Sequence, residues 1–217
     1  MASIESIDIP AAHGRLEALL RLPDDADESS AWAAVICHPH PLGQGTMHNK
    51  VVFTLAKAIS NAGAPALRFN FRGVGRSTGV YDDGVGESED AETAIAWLAQ
   101  RFPRAGIILA GFSFGAWVGL PVGCRSRHIK ALIGAGVPAG TLPMAALETC
   151  AKPKLIVQGA RDEYGPLENL AIWFEGLPEP KHLHIIPDES HFFQRSLPIL
   201  ESVVSQWVQD LLAAKTE

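Results

Sequence analysis

Three residues able to perform acyl transfer lie far apart in this chain: a serine flanked by glycines, an aspartate beyond it, and a histidine later still. The serine is Ser113, in Gly111-Phe112-Ser113-Phe114-Gly115, a Gly-x-Ser-x-Gly pattern. An apolar run at 107–110 precedes it and a second, at 114–124, follows. That context reads as a buried strand, a sharp turn and a helix, which is what the pattern requires. A serine in such a turn has a strained backbone. A side chain two positions before or after it would collide with neighbouring backbone, so glycine is needed at both places. The turn lifts the hydroxyl above the sheet. It also puts the N–H of Phe114 at a helix N-terminus, where partial positive charge suits an oxyanion. The pattern alone is a weak signal that its context strengthens, and a tightly packed glycine turn without chemistry is the alternative.

A serine hydroxyl is a poor nucleophile unless a base takes its proton. Of the eight histidines, His191 stands where that base is expected. It follows an apolar strand at 182–186 and the short loop Pro187-Asp188-Glu189-Ser190, and it precedes the last helix. This location brings it to the carboxyl edge of the sheet, where open α/β folds bind ligands. His128 begins a strand and His182 and His184 lie within one, so all three read as structural. The acid is expected just past the preceding strand, at 154–158, which gives Asp162, with Glu163 and Asp188 as rivals. Asp188, so near His191, reads better as a cap of its own loop.

The first buried strand, 32–37, runs into His38-Pro39-His40-Pro41-Leu42-Gly43. This loop is expected to supply the second oxyanion N–H. Pro39 and Pro41 have none to give, so His40 is favoured and Leu42 is second. His38, His40 and His48 could suggest a metal, but no carboxylate or cysteine beside them completes a ligand set.

These residues need a scaffold, and the hydrophobic pattern supplies one. Period-two alternation at 3–9 and 15–22 around His13-Gly14 reads as a hairpin. An acidic loop covers 23–30. Strands are expected at 32–37, 64–71, 107–110, 129–135, 154–158 and 182–186. Helices are expected at 51–62, 87–102, 114–124, 167–174 and 197–213. Alternating strands and helices imply a mostly parallel, twisted sheet of about seven or eight strands with helices on both faces. The stretch 105–124 is uncharged and imitates a membrane span, but its glycines and proline favour strand, turn and helix.

The composition fits one globular domain over 1–217: 47% hydrophobic, 19% charged, net charge −6. No basic run supports nucleic-acid binding. Three widely spaced cysteines, and no basic or apolar leader after Met1, suggest reduced thiols and a cytoplasmic protein without membrane attachment.

Five pieces, in order, resemble the α/β-hydrolase superfamily over nearly the whole length: His38-Pro39, Phe71-Arg72-Gly73-Val74-Gly75-Arg76-Ser77, the Ser113 pentapeptide, Gly159-Ala160-Arg161-Asp162 and Ser190-His191-Phe192-Phe193. Within it the chain is similar to small bacterial serine hydrolases of the dienelactone-hydrolase-like and dipeptidyl-peptidase-like kind. The family's His-Gly pair is His-Pro here, and Arg72 is expected to tie loops together. The resemblance implies a serine esterase cutting small carboxylic esters through Ser113, His191 and Asp162, with no cofactor or metal. A peptidase, a thioesterase or a non-catalytic binding protein on the same fold are the alternatives.

Relatives insert a cap before the acid strand. Only 138–153 is available here, enough for one short helix near 143–149 and no lid. An open cleft lined by Leu42, Phe112, Phe114, Tyr164 and Phe192 is therefore expected, suited to small or extended acyl groups. Catalysis by a neutral imidazole is expected to rise with pH through roughly 6–7. A kcat/KM profile flat across that window would count against His191.

Overall fold

The computed structural model describes residues 2–24 and 30–214, so positions 25–29 of the expected acidic loop lie outside the described residues. Strands β1 (Ser3–Ala11) and β2 (Gly14–Leu22) form an antiparallel hairpin with Ala11 opposite Gly14. The two turn residues are Ala12 and His13, one position earlier than the sequence suggests. Gly14 opens the return strand with φ 123°, a conformation that glycine tolerates. The remaining strands are β3 (Trp32–Cys37), β4 (Ala66–Phe69), β5 (Gly106–Phe112), β6 (Ile129–Ala135), β7 (Lys154–Gly159) and β8 (Lys181–Ile186). They join the hairpin in one eight-stranded sheet of order β1-β2-β4-β3-β5-β6-β7-β8. Among the described residues β2 alone runs against the others.

Strands β3, β4, β5 and β7 are buried along their whole length, as expected for parallel strands covered on both faces. The helices α1 (Lys50–Asn61), α2 (Val85–Arg101), α3 (Phe114–Arg125), α4 (Leu167–Glu175) and α5 (Leu197–Ala213) provide that cover. Apolar side chains of α2, α3 and α4 pack into one core cluster, including Leu98, Leu120 and Leu170. Those of α1 and α5 pack into the other, including Leu55, Ile59, Leu200 and Val204. Side-chain alternation along β5 splits its residues between the two: Leu109 faces the first and Ile108 the second.

Most element ends shift by one or two residues from the sequence reading, as at β5, 106–112 and not 107–110, and three differences stand out. Strand β4 is shorter, 66–69 and not 64–71: at its end His38 takes the Phe71 N–H, and before its start the Ala64 N–H goes to the Ile59 carbonyl of the preceding helix. Helix α2 begins at Val85 and not at Glu87. Gly84, with φ 90°, turns into the helix, and the buried Glu87 carboxylate reaches back to accept the N–H groups of Asp82 and Gly84. Between β6 and β7 a single 3-10 turn, Ala145–Leu147, replaces the expected short helix. The uncharged stretch 105–124 becomes β5, the elbow and α3. Among the described residues no helix is long and apolar enough to cross a membrane.

His38, fully buried, clasps the loop after β3 to the loop after β4. Its Nδ1 lies 2.7 Å from the Pro39 carbonyl oxygen and so carries the proton. Its Nε2 accepts the Phe71 N–H at 3.0 Å. Burial lowers its pKa to about 4, because the charged ring has no water around it; the Pro39 carbonyl and Asp90 oppose this only in part. The unfolded chain takes up this proton near pH 6.5, the folded chain only near 4, so acidification across that window removes stability. Lowering the pH from 7 to 5 is expected to cost about 2 kcal/mol through this group. Urea unfolding of wild type and of His38→Gln at both values checks it: the variant's stability change over the interval should be smaller by about that amount.

Candidate active site

Ser113 joins β5 to α3 with φ 55° and ψ −120°, a strained backbone for a residue with a side chain. Its N–H donates to the Ala135 carbonyl at the end of β6, 3.0 Å away. Its own carbonyl accepts the N–H groups of Ala116 (2.9 Å) and Trp117 (3.0 Å) in the first turn of α3. The glycines on either side are there for space. A Cβ on Gly111 would sit 2.5 Å from the Gly115 carbonyl oxygen. One on Gly115 would strike the carbonyl oxygens of Cys37 and His38. No described group accepts the N–H of Phe114, which opens α3.

His191 and Asp162 arrive from the loops after β8 and β7. Ser113 Oγ lies 2.8 Å from His191 Nε2. His191 Nδ1 lies 3.0 and 2.9 Å from the two Asp162 oxygens. Both residues are only 3% exposed. A carboxylate offers no proton, so Nδ1 carries the imidazole hydrogen and Nε2 is free to accept from the serine hydroxyl. The Asp162 carboxylate also accepts the N–H groups of Tyr164 (2.9 Å) and Gly165 (3.0 Å) on Oδ1, and the Gln158 amide on Oδ2 (2.9 Å). Aromatic rings enclose the imidazole: Tyr164 at 4.5 Å, Phe112 at 5.1 Å and Phe192 at 5.3 Å between centroids. Gly136, with φ 54°, leaves room behind it, since a Cβ there would lie 3.1 Å from His191 Cε1.

The rival acids stand elsewhere. Asp188 pairs with exposed Arg161, and Glu163 meets the His191 backbone N–H at 3.5 Å. His182 and His184 line a groove between β8 and α5, away from Ser113. The loop after β3 lies against the elbow, with the His40 ring 4.8 Å from Phe114 and 5.2 Å from Tyr81. The Leu42 N–H donates to His40 Nδ1 (3.2 Å), whereas no described group accepts the His40 N–H. Leu42 (72% exposed), Tyr164 (50%) and Phe192 lie open on the rim. Phe112 and Phe114 do not. Phe112 is 2% exposed because the last pleat of β5 turns its ring into the core beneath His191, and Phe114 is packed under the His40 ring. The expectation that these two line the cleft is corrected accordingly. Arg72 forms a fork on buried Asp90, which also meets His13, so it ties the hairpin turn, the loop after β4 and α2 together.

Sequence reasoning missed two buried polar side chains. Gln158 read only as the end of a strand. Glu189 read only as part of a loop, yet its carboxylate takes the N–H groups of Ser190 and Arg195 and the Ser196 hydroxyl. Burial pushes its pKa up, but the Ser196 hydroxyl and the surrounding N–H groups outweigh this and hold it below the ordinary carboxylate range. A polar residue inside an otherwise apolar strand, as at Gln158, was the one available signal.

A family model described as "Alpha/beta hydrolase domain" matches residues 33–209, and this chain belongs to that family. The structure of an alpha-beta serine hydrolase homologue from Coxiella burnetii superposes with a TM-score of 0.87 at 39% identity, covering 93% of this chain and 96% of that one. A lidless a/b serine hydrolase from Xanthomonas campestris superposes equally well, TM-score 0.87, at 33% identity over 96% and 95%. An uncharacterized protein of Rickettsia prowazekii is 40% identical over 141 residues, which are 63% of this chain; the match spans 59% of the length of that curated relative.

Gly115→Ala forces a methyl group against two backbone carbonyls that cannot move independently of β3. It is expected to lower stability by about 1–3 kcal/mol, read as a fall in the thermal midpoint. An unchanged midpoint would contradict the close approach.

Proposed function

We propose that this chain, acting as a single domain, is a serine hydrolase that cleaves small carboxylic esters through an acyl-enzyme on Ser113. The observation that carries the reading is the unbroken contact line from Ser113 Oγ through the His191 ring to Asp162, with every step at 3.0 Å or less. His191 Nε2 takes the Ser113 proton as the oxygen attacks the ester carbonyl. Asp162 keeps the ring in the required tautomer and stabilises the imidazolium that forms. The carbonyl oxygen, now negative, is held by the N–H of Phe114 and by that of His40. Leu42 ranks behind His40 because its N–H is already taken within its own loop. His191 then gives the proton to the departing alcohol, and a water activated in the same way releases the acid. No step calls for a cofactor or metal.

The ester preference rests on the rim. Exposed apolar side chains at Leu42, Tyr164 and Phe192, with a single 3-10 turn where a lid would stand, suit short acyl groups that need no enclosure. The lidless relative from Xanthomonas supports the same picture.

Ser113→Ala is expected to lower kcat by roughly 10⁴–10⁶-fold with an unchanged circular dichroism spectrum. Residual turnover of p-nitrophenyl acetate near wild type, in a folded variant, overturns the assignment. Rates on aminoacyl anilides and acyl thioesters should be at least tenfold lower than on the ester. Absence of fluorophosphonate labelling in wild type would favour a binding protein.

A further inference from the structure

We propose that Gln158 is a positioning residue for this reaction: its side-chain amide holds the Asp162 carboxylate aimed at His191. The inference rests on the reading that Ser113, His191 and Asp162 carry the chemistry. Gln158 is the penultimate residue of β7 and is fully buried. A buried amide must find partners for both ends, and here the partners fix its orientation. Oε1 accepts the Val137 N–H at 2.8 Å, so Nε2 is turned the other way. Nε2 then faces three oxygens: Asp162 Oδ2 at 2.9 Å, Gly165 O at 3.0 Å and Val137 O at 3.2 Å. Two protons serve three acceptors. The shortest contact is to the charged one, and a hydrogen bond to a charged group is the strongest of the three.

The Asp162 donor set shows why this matters. Oδ1 receives two backbone N–H groups besides the imidazole. On Oδ2 the Gln158 amide and His191 are the only donors among the described residues. Without Gln158, Oδ2 keeps only the His191 N–H, which it shares with Oδ1, in a site that excludes water. Gln158 touches neither substrate nor serine, so it acts through Asp162. Nε2 also braces the chain through the Gly165 and Val137 carbonyls, and loss of that bracing shows as a lower thermal midpoint; loss of positioning shows as lower kcat and a shifted His191 Nδ1–H resonance at an unchanged midpoint.

Two variants separate these roles. Gln158→Met keeps the volume and removes the donor. Gln158→Glu restores a donor only while protonated, because its second oxygen faces three acceptors. Once ionised it sets a second negative charge beside Asp162. We expect Gln158→Met to lose about 10–100-fold in kcat with KM within about twofold. Gln158→Glu should recover most of that loss near pH 6, relative to wild type at the same pH, and forfeit it as pH rises. Thermal midpoints at each pH show whether the variants stay folded. Gln158→Met within threefold of wild-type kcat, or Gln158→Glu no better than Gln158→Met at low pH, overturns the proposal. The low-field proton resonance of His191 Nδ1–H gives a reading independent of turnover. If wild type hydrolyses nothing, the proposed function fails; a resonance that still shifts in Gln158→Met supports the positioning, and one that does not shift sinks it.

Discussion

The backbone at Ser113 is the constraint on which the rest of the site depends. A residue with a side chain at φ 55° and ψ −120° is about 1–3 kcal/mol above a relaxed one, so its surroundings must over-determine it. They do so from three strands. Strand β5 delivers the residue, β6 accepts its N–H at Ala135, and the Cys37 and His38 carbonyls after β3 close against Gly115. This works only if β5 lies between β3 and β6, which is the order observed. The strand order therefore fixes the Ser113 backbone as well as the core. His38 belongs to the same constraint: by binding the Phe71 N–H it holds in place the loop whose carbonyls meet the elbow.

The opposite end of the contact line has its own close approach. A Cβ at Gly159 would strike the Glu189 carbonyl, so the absence of a side chain lets the loop carrying His191 lie directly on the end of β7. Asp162 also leaves from that end, and this brings residues 162 and 191 into contact. Glu189 then stiffens the histidine loop from inside with its own set of donors, while Asp162 keeps both oxygens for the acid loop, Gln158 and His191. Two buried carboxylates a short distance apart thus do different work, separated by which N–H groups each loop turns inward.

Much of this was legible from the residues alone. Ser113 was readable because an elbow is local: five residues carry its glycine spacing and the flanking apolar runs carry its strand and helix. His191 and Asp162 were readable because topology puts the ends of successive strands at one edge, so order along the chain stands in for position in space. The strand and helix sequence followed from periodicity; at the start of α2 the Glu87 side chain overrode it, and near 143–149 a single 3-10 turn stands where a helix was expected. What the residues could not reveal depends on partners distant in sequence. Gln158 looks like any polar strand end until Val137 and Asp162 are placed beside it. Phe112, one residue before the serine, looked exposed; the pleat of β5 sends it beneath the imidazole instead.

These placements give the site two unlike ends. The imidazole and carboxylate sit under aromatic rings and away from water, where charge–charge and charge–dipole interactions are strong. The serine end faces an open rim. On the proposed mechanism that asymmetry is useful, because the ion pair that forms during attack needs a dry, fixed partner, whereas the acyl-enzyme needs water to reach it. A lid would improve the first at the expense of the second. Enclosing only the His191–Asp162 pair, with Tyr164 serving both as its cover and as part of the rim, meets both needs without a moving part. On the same proposal, selection by shape is weak: with few walls around the scissile bond, discrimination among the proposed ester substrates comes from the rim side chains and from the proposed oxyanion donors rather than from a closed pocket.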